Sequence, residues 1–113
     1  MKILIIEPNQ EPYIERIWND LDSLRKKLGN KNLEVVELDE DALLVYDVSA
    51  LANNVPINRY LYGLAVRGTF IITWNNTREL DFDSLTDEQV EEYTEMLTLE
   101  REEEQERWRK TKL

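Results

Sequence analysis

Residues 68–74 constrain the fold of this chain more than any other segment. Every residue after Gly68 is β-branched or aromatic, and such side chains suit a pleated, packed surface. Gly68 opens the run and the pair Asn75 and Asn76 closes it, and all three are residue types that favour turns. Because the run is too short for a helix, it predicts a mostly buried strand with which the other elements pair or pack.

The length and the missing residue types limit what this protein can be. A chain of 113 residues is expected to form one domain with one core. It contains no cysteine and no histidine, so disulfides, thiolate zinc sites and the commonest general base are excluded. We therefore expect a protein that is not an enzyme, with no metal and no cofactor. The apolar run at residues 3–6 is too short for a signal peptide or a membrane span, which predicts a cytoplasmic protein.

The net charge is −10, from 24 acidic and 14 basic residues, and most of the excess lies in the last third of the chain. Such an excess argues against direct binding of nucleic acid phosphates and against an anionic membrane surface. It is compatible with a protein partner that presents a basic surface, and also with a role in solubility alone.

The N-terminal part contains one ambiguous segment. Residues 2–6 predict a strand, and the prolines that follow predict a turn. The apolar spacing over residues 13–28 fits a single helix of about four turns. The alternative is a strand over residues 13–17, paired with the first strand, and then a helix that begins near Asn19. Both alternatives end at Gly29, and the spacing alone favours the longer helix.

The middle of the chain predicts strands and connections. Residues 33–38 and 42–48 are expected to form an antiparallel hairpin, followed by a loop over residues 49–56. Asn58 is expected to cap a short helical turn over residues 59–62. After the strand at residues 68–74, an acidic loop is expected over residues 79–84.

The C-terminal helix has the strongest local signals. Thr86 is a good N-cap, and Gln89 follows three residues later as its capping-box partner. Four residues form one apolar stripe that should face the sheet: Val90, Tyr93, Met96 and Leu97. Residues 100–107 offer no apolar face, so we expect a long helix that extends beyond the domain into solvent. The predicted organisation is one domain over residues 1–97 and a charged helical extension over residues 98–113.

The acidic residues of this helix are the first candidate site. Residues 87–106 contain ten acids and one base. On a helix about 30 Å long, this gives one net charge per about 3.3 Å, close to the ~3.4 Å spacing along one DNA strand. The density suggests that the helix could occupy the nucleic-acid groove of a basic protein, although a solvated helix face is the simpler interpretation. The candidate residues are Glu88, Glu91, Glu92, Glu95 and Glu102.

A second candidate site lies in residues 56–63. Asn58, Arg59 and Tyr62 could present polar groups to a small ligand, which would make the chain a ligand-binding or regulatory domain. The alternative is structural, with a capped turn in which Arg59 folds back on a carboxylate and the tyrosines pack.

Several motifs occur in a familiar order: KILIIEP, EPYIERI, PINRYLYG, GTFIIT and DFDSLTDEQVEEY. Over about residues 1–97 the chain resembles the family called domain of unknown function 3846, small proteins frequent on phages, plasmids and other mobile elements. It departs from the family's usual glycine pair after the first helix, where it has Gly29 and Asn30. The resemblance implies the hairpin alternative for residues 13–17. It also implies a mobile-element setting, where small acidic proteins sometimes block host defence nucleases or regulators. It brings no known activity and no catalytic residues.

Together these observations predict an α+β fold with a mixed, mainly antiparallel sheet of about five strands and two helices packed on it. The expected function is that of a non-enzymatic interaction protein that is a monomer or a homodimer.

Overall fold

The computed structural model describes residues 1–18, 20–29, 32–39, 42–76, 81–83 and 85–99. Within these residues the chain forms a mostly antiparallel sheet, a second small sheet and two helices, which confirms the predicted α+β fold. In chain order they are β1 (Lys2–Ile6), β2 (Tyr13–Arg16), α1 (Leu21–Lys27), β3 (Leu33–Asp39), β4 (Ala42–Asp47), β5 (Ile57–Leu61), β6 (Leu64–Arg67), β7 (Phe70–Asn76), β8 (Asp81–Asp83) and α2 (Asp87–Met96).

Strand β7 lies at the centre of the main sheet, whose order is β2-β1-β7-β4-β3. It pairs with β1 on one side and with β4 on the other, and β8 pairs with its last residues. All of these pairings are antiparallel. Phe70, Ile71 and Ile72 are completely buried. The prediction that this segment organises the sheet is confirmed.

The ambiguous segment over residues 13–28 begins with a strand, β2, and continues into helix α1. In β2, Tyr13 lies opposite Ile5 and Ile14 lies opposite Leu4, so the hairpin implied by the family resemblance is confirmed. The helical spacing of the apolar residues was misleading, because a hairpin of this kind buries only alternate residues of its outer strand. Ile14, which the helical pattern would bury, is half exposed.

Helix α1 begins one residue later than the sequence predicted. Its N-cap is Asp20, whose Oδ1 accepts a hydrogen bond from the Ser23 amide at 2.7 Å. This bond lowers the pKa of the Asp20 carboxyl below its ordinary value. The helix ends as expected, because Gly29 has φ of 76° and its amide donates to the Lys26 carbonyl.

Strands β3 and β4 form the predicted antiparallel hairpin, in which Val35 lies opposite Val45. Strand β3 is the outermost strand at its side of the sheet. The segment after β4 is the predicted loop, where the Asn53 amide donates to Ser49 O and the Val55 amide donates to Ala50 O.

A second, two-stranded sheet replaces the helical turn predicted over residues 59–62, so that prediction is wrong. Tyr62 and Gly63 connect β5 to β6 with φ of 49° and 80°. Two consecutive positive φ values are typical of a type I′ turn, whose twist matches that of the flanking strands. Asn58, the expected helix cap, lies inside strand β5.

Two further boundaries differ from the sequence prediction. Strand β7 continues through Asn76, although the pair Asn75 and Asn76 was expected to end it. Residues 81–83 form β8, although an acidic loop was expected there. Pairing with the end of β7 explains both differences, because a ladder can hold polar residues that have low strand propensity alone. The remaining residues of the predicted loop lie outside the described part of the chain.

The sheet buries apolar side chains on both faces. On one face, helix α1 contributes Leu24 and Leu28 to a core with residues of β1, β4 and β7. On the other face, Tyr93 of helix α2 and its C-cap Leu97 pack with Leu61 and Val66 of the β5–β6 hairpin. Full burial of each such side chain stabilises the fold by about 1.5–3 kcal/mol. Helix α2 and the β5–β6 hairpin are therefore neighbours on one face of the sheet.

Helix α2 has the predicted capping box. The Gln89 amide donates to Thr86 Oγ1 at 3.1 Å, and the Thr86 amide donates to Gln89 Oε1 at 2.9 Å. The helix ends at Met96 with Leu97 as its C-cap, so it is not the single unbroken helix that the sequence predicted. The expected extension over residues 98–113 lies almost entirely outside the described residues, and Glu102 lies there with it.

Candidate functional site

The outer face of α2 carries four of the five predicted partner-binding residues. Glu88, Glu91, Glu92 and Glu95 occupy positions i, i+3, i+4 and i+7, which places them on one side of an α-helix. All four are exposed. We call this set the acidic face. Tyr93, at the buried side of the helix, packs into the core together with Leu97.

The N-terminal end of α2 is fixed to the sheet by an ion pair. The Lys2 Nζ atom of β1 donates to Asp87 Oδ1 at 2.5 Å. This hydrogen bond and the charge of the lysine lower the pKa of Asp87 below its ordinary value, and the charge of Arg16 adds a smaller effect. Lys2 therefore pairs with Asp87, the first acid of the helix. The four glutamates of the acidic face stay exposed to solvent.

The C-terminal end of α2 is fixed by Arg59. Its Nε atom donates to the Leu97 carbonyl oxygen at 2.9 Å, and the residue is 1% exposed. The same guanidinium donates to Asn58 Oδ1 at 2.7 Å and to the main-chain oxygen of Gln10. A cation at this position also interacts favourably with the negative end of the helix dipole. Nearby, the Leu99 amide donates to Glu11 Oε1 at 3.0 Å.

The second candidate site divides into buried and exposed parts. The Asn58 amide nitrogen donates to the main-chain oxygens of Ile6 and Gly68 at 2.9 and 2.8 Å, so it joins β5 to two neighbouring segments. Asn58 and Arg59 thus point their polar atoms at protein acceptors. Tyr62 is 60% exposed in the hairpin turn. These contacts favour the structural alternative for Asn58 and Arg59, in which the guanidinium donates to main-chain oxygens and to Asn58 Oδ1.

The electrostatic surroundings leave the acidic face negative. Between residues of the described part of the chain, the ion pairs are Lys2–Asp87, Arg25–Asp22 and Lys27–Glu15. None of them includes a glutamate of the acidic face. Helix α2 is about 15 Å long at ~1.5 Å per residue, so even without Asp87 it carries about one negative charge per 4 Å.

Within the described residues, no group of three or more acidic side chains is arranged to hold a metal ion. Neither described helix has the length and apolar character needed to cross a membrane.

A cavity of about 330 Å³ was not anticipated from the sequence. It lies between the loop after β4 and strand β6, and we call it the β6 cavity. Its lining includes Tyr46, Asp47, Val48, Leu51, Leu64 and Arg67. The sequence signal was weak, because it consisted only of apolar residues in a loop and in a hairpin that had been predicted as a helical turn.

No curated protein and no solved structure matches this chain. The sequence model of one family, described as a domain of unknown function (DUF3846), matches residues 1–98. The match includes all ten strands and helices described above, together with both ends of α2 and the β6 cavity. The chain therefore belongs to the family of domain of unknown function 3846.

Proposed function

We propose that this chain is a non-enzymatic interaction protein of phage or mobile-element origin, which binds a basic surface of a host protein through the acidic face. The observation that carries the proposal is the arrangement of Glu88, Glu91, Glu92 and Glu95 on one exposed side of a helix that is fixed at both ends. Glu102 belongs to the proposed surface by its sequence position only.

The mechanism is electrostatic competition. The helix carries one carboxylate charge per about 4 Å of its length, which is close to the charge spacing along a nucleic acid strand. Such a row of charges can occupy a groove that binds phosphates. Because helix α2 is ordered before binding, the partner does not have to order it, which reduces the entropic cost of association. The protein would therefore act in the cytoplasm by blocking access of nucleic acid to its partner.

The test is a pull-down from host lysate at low and high salt, using the full chain. Binding should fall steeply as salt approaches about 0.5 M, because screening weakens charge pairs near the surface. Double-stranded DNA added as a competitor should release the captured protein. Binding that persists unchanged at high salt, or in excess DNA, would contradict the proposal.

Matched charge variants make the test specific. A triple variant of the acidic face, Glu88→Gln, Glu91→Gln and Glu95→Gln, should abolish capture. The control variant carries Asp22→Asn, Glu34→Gln and Glu37→Gln. It loses the same number of negative charges at other exposed positions and should capture the partner normally. Equal losses in the two variants would indicate an effect of net charge alone, and the acidic face would then have no specific role.

A further inference from the structure

The β6 cavity combines apolar walls with two charged residues. Val48, Leu51 and Leu64 line the cavity and are all exposed, so they bring apolar surface together at one place. A cavity of about 330 Å³ lies at the lower end of the range for small-molecule sites. Its size therefore suits a small metabolite.

Asp47 contributes a nearly buried carboxylate. The residue is 9% exposed, and its Oδ1 atom accepts hydrogen bonds from the Ser49 amide at 3.0 Å and from Ser49 Oγ at 2.7 Å. These two bonds fix the orientation of the carboxylate. No described residue donates a hydrogen bond to its second oxygen, Oδ2. A carboxylate oxygen that has no described donor can accept a charge-assisted hydrogen bond from a cationic group of a ligand.

Arg67 contributes the opposite charge. Its Nη1 atom donates to the Val55 carbonyl oxygen at 2.8 Å, which limits the motion of the guanidinium, and Arg67 is one of the residues that line the cavity. Within the described part of the chain, Asp47 and Arg67 do not form an ion pair with each other, although both line the same cavity. Both charged residues thus line the cavity without a direct ion pair between them, so each can bind a different group of one ligand.

We propose that the β6 cavity binds a free α-amino acid with a large apolar side chain. The ligand's ammonium group would donate to Asp47, and its carboxylate would accept from Arg67. Each of these charge-assisted hydrogen bonds is about 2.7–2.9 Å long. Two such bonds, with the ligand's own atoms between them, can connect two protein groups that do not contact each other. The ligand's side chain would pack against Leu51 and Leu64, with Tyr46 beside them. Unlike the proposed protein interaction, this binding does not involve the acidic face.

The first test uses the unmodified chain and four ligands in isothermal titration calorimetry. L-Leucine and L-phenylalanine carry both charges, L-leucinamide carries only the ammonium, and N-acetyl-L-leucine carries only the carboxylate. At least one of the two amino acids should bind, and leucinamide and N-acetyl-leucine should each bind at least about tenfold more weakly than leucine, because each lacks one charge-assisted hydrogen bond. Binding of leucinamide as tight as that of leucine would identify a peptide N-terminus as the ligand and overturn the proposal.

The second test uses variants of the cavity. Asp47→Asn keeps an oxygen that can accept from Ser49, and it should weaken binding of the amino acid at least about tenfold. Arg67→Gln should have an effect of similar size. Leu64→Ser should also weaken binding, whereas Ile14→Ser, at an equally exposed apolar position outside the cavity, should not.

The ligand series on the unmodified chain tests the proposed amino acid binding even if a variant fails to fold. No heat from either amino acid at millimolar concentration, or binding that is unchanged in both charge variants, would overturn the proposal. Neither result would affect the salt-dependent capture through the acidic face, so the two proposals can fail separately.

Discussion

The Arg59 guanidinium and the Leu97 carbonyl oxygen lie 38 positions apart in the chain and are joined by a hydrogen bond of 2.9 Å. The bond connects the middle of strand β5 to the C-cap of helix α2. Through its bonds to Asn58 Oδ1 and to the Gln10 main-chain oxygen, the same side chain also reaches the turn between β1 and β2. One buried cation therefore holds three segments together on one face of the sheet.

The first prediction concerns this cation. Arg59→Met keeps most of the side-chain volume but leaves several buried acceptors without a donor, so it should lower the free energy of unfolding by about 3 kcal/mol. Urea denaturation followed by circular dichroism measures the change. Arg25→Met removes an exposed arginine paired with Asp22 and should cost less than about 0.5 kcal/mol. Equal costs for the two variants would show that the Arg59 bonds add nothing beyond a surface pair.

The second prediction concerns the pH dependence of the Lys2–Asp87 pair. Because the pKa of Asp87 is lower in the folded chain than in the unfolded chain, the pair stabilises the fold at pH values above the ordinary aspartate pKa of 3.8. This stabilisation is lost as the pH falls through the folded-state pKa. Lys2→Met should therefore reduce stability at neutral pH and change it little at about pH 2.

Denaturation curves over a range of pH values measure this difference, and carbon NMR of the Asp87 carboxyl group should show its pKa rising in Lys2→Met. Lys26→Met is the control, because Lys26 only adds a small charge effect to the lowered pKa of Asp20. The interpretation would be wrong if Lys2→Met lowered stability equally at both ends of the pH range.

The third prediction concerns the turn of the β5–β6 hairpin. Tyr62 has φ of 49°, a conformation that costs a non-glycine residue about 1 kcal/mol. Tyr62→Asn should stabilise the protein by up to about 1 kcal/mol, since Asn followed by Gly is the preferred sequence for a type I′ turn.

Gly63→Ala should have the opposite effect in the same turn. Its φ is 80°, and a Cβ atom there would meet no other atom within 4 Å, so the cost of about 1 kcal/mol is purely conformational. Thermal unfolding of both variants tests the pair of predictions. A lower melting temperature for Tyr62→Asn would contradict the assignment of the turn.

The fourth prediction concerns the effect of the acidic face on stability. Glu88 and Glu92, like Glu91 and Glu95, are four residues apart on a helix, where like charges destabilise by about 0.2–0.5 kcal/mol per pair. Glu92→Gln should therefore raise the melting temperature at low salt and have less effect at high salt. The same substitution should weaken partner binding. A fall in melting temperature at low salt would imply that Glu92 makes a favourable contact within the protein.

The centre of the sheet could be predicted from the sequence, because β1 and β7 carry continuous runs of apolar, largely β-branched residues. Residues 3–6 and 70–73 are buried, and such strands are recognisable without knowledge of their partners. The capping box of Thr86 and Gln89 could also be predicted, because all of its atoms come from four consecutive residues.

The prediction was wrong where the structure depends on contacts that are distant in sequence. Asn58 is a good helix cap locally, but its amide binds Ile6 O, 52 residues away, and this contact belongs to a strand. Arg59 was considered as a ligand-binding residue because, with Asn58 and Tyr62, it could present polar groups to a small ligand. Its main-chain acceptors leave no signature in the sequence. The β6 cavity was missed for the same reason, since Asp47 and Arg67 meet only after β4 and the hairpin are placed.

The central position of β7 determines when the protein can fold during its synthesis. Strands β1 and β4 are made early, but each lacks its inner neighbour until residue 76 has left the ribosome. The early hairpins are thus expected to expose their apolar faces to water until about two-thirds of the chain has been made. Contacts between residues that are distant in sequence also form slowly. Neither core can form until β7 has been synthesised, because β7 contributes residues to both. A chain truncated before β7 is therefore expected to aggregate or be degraded.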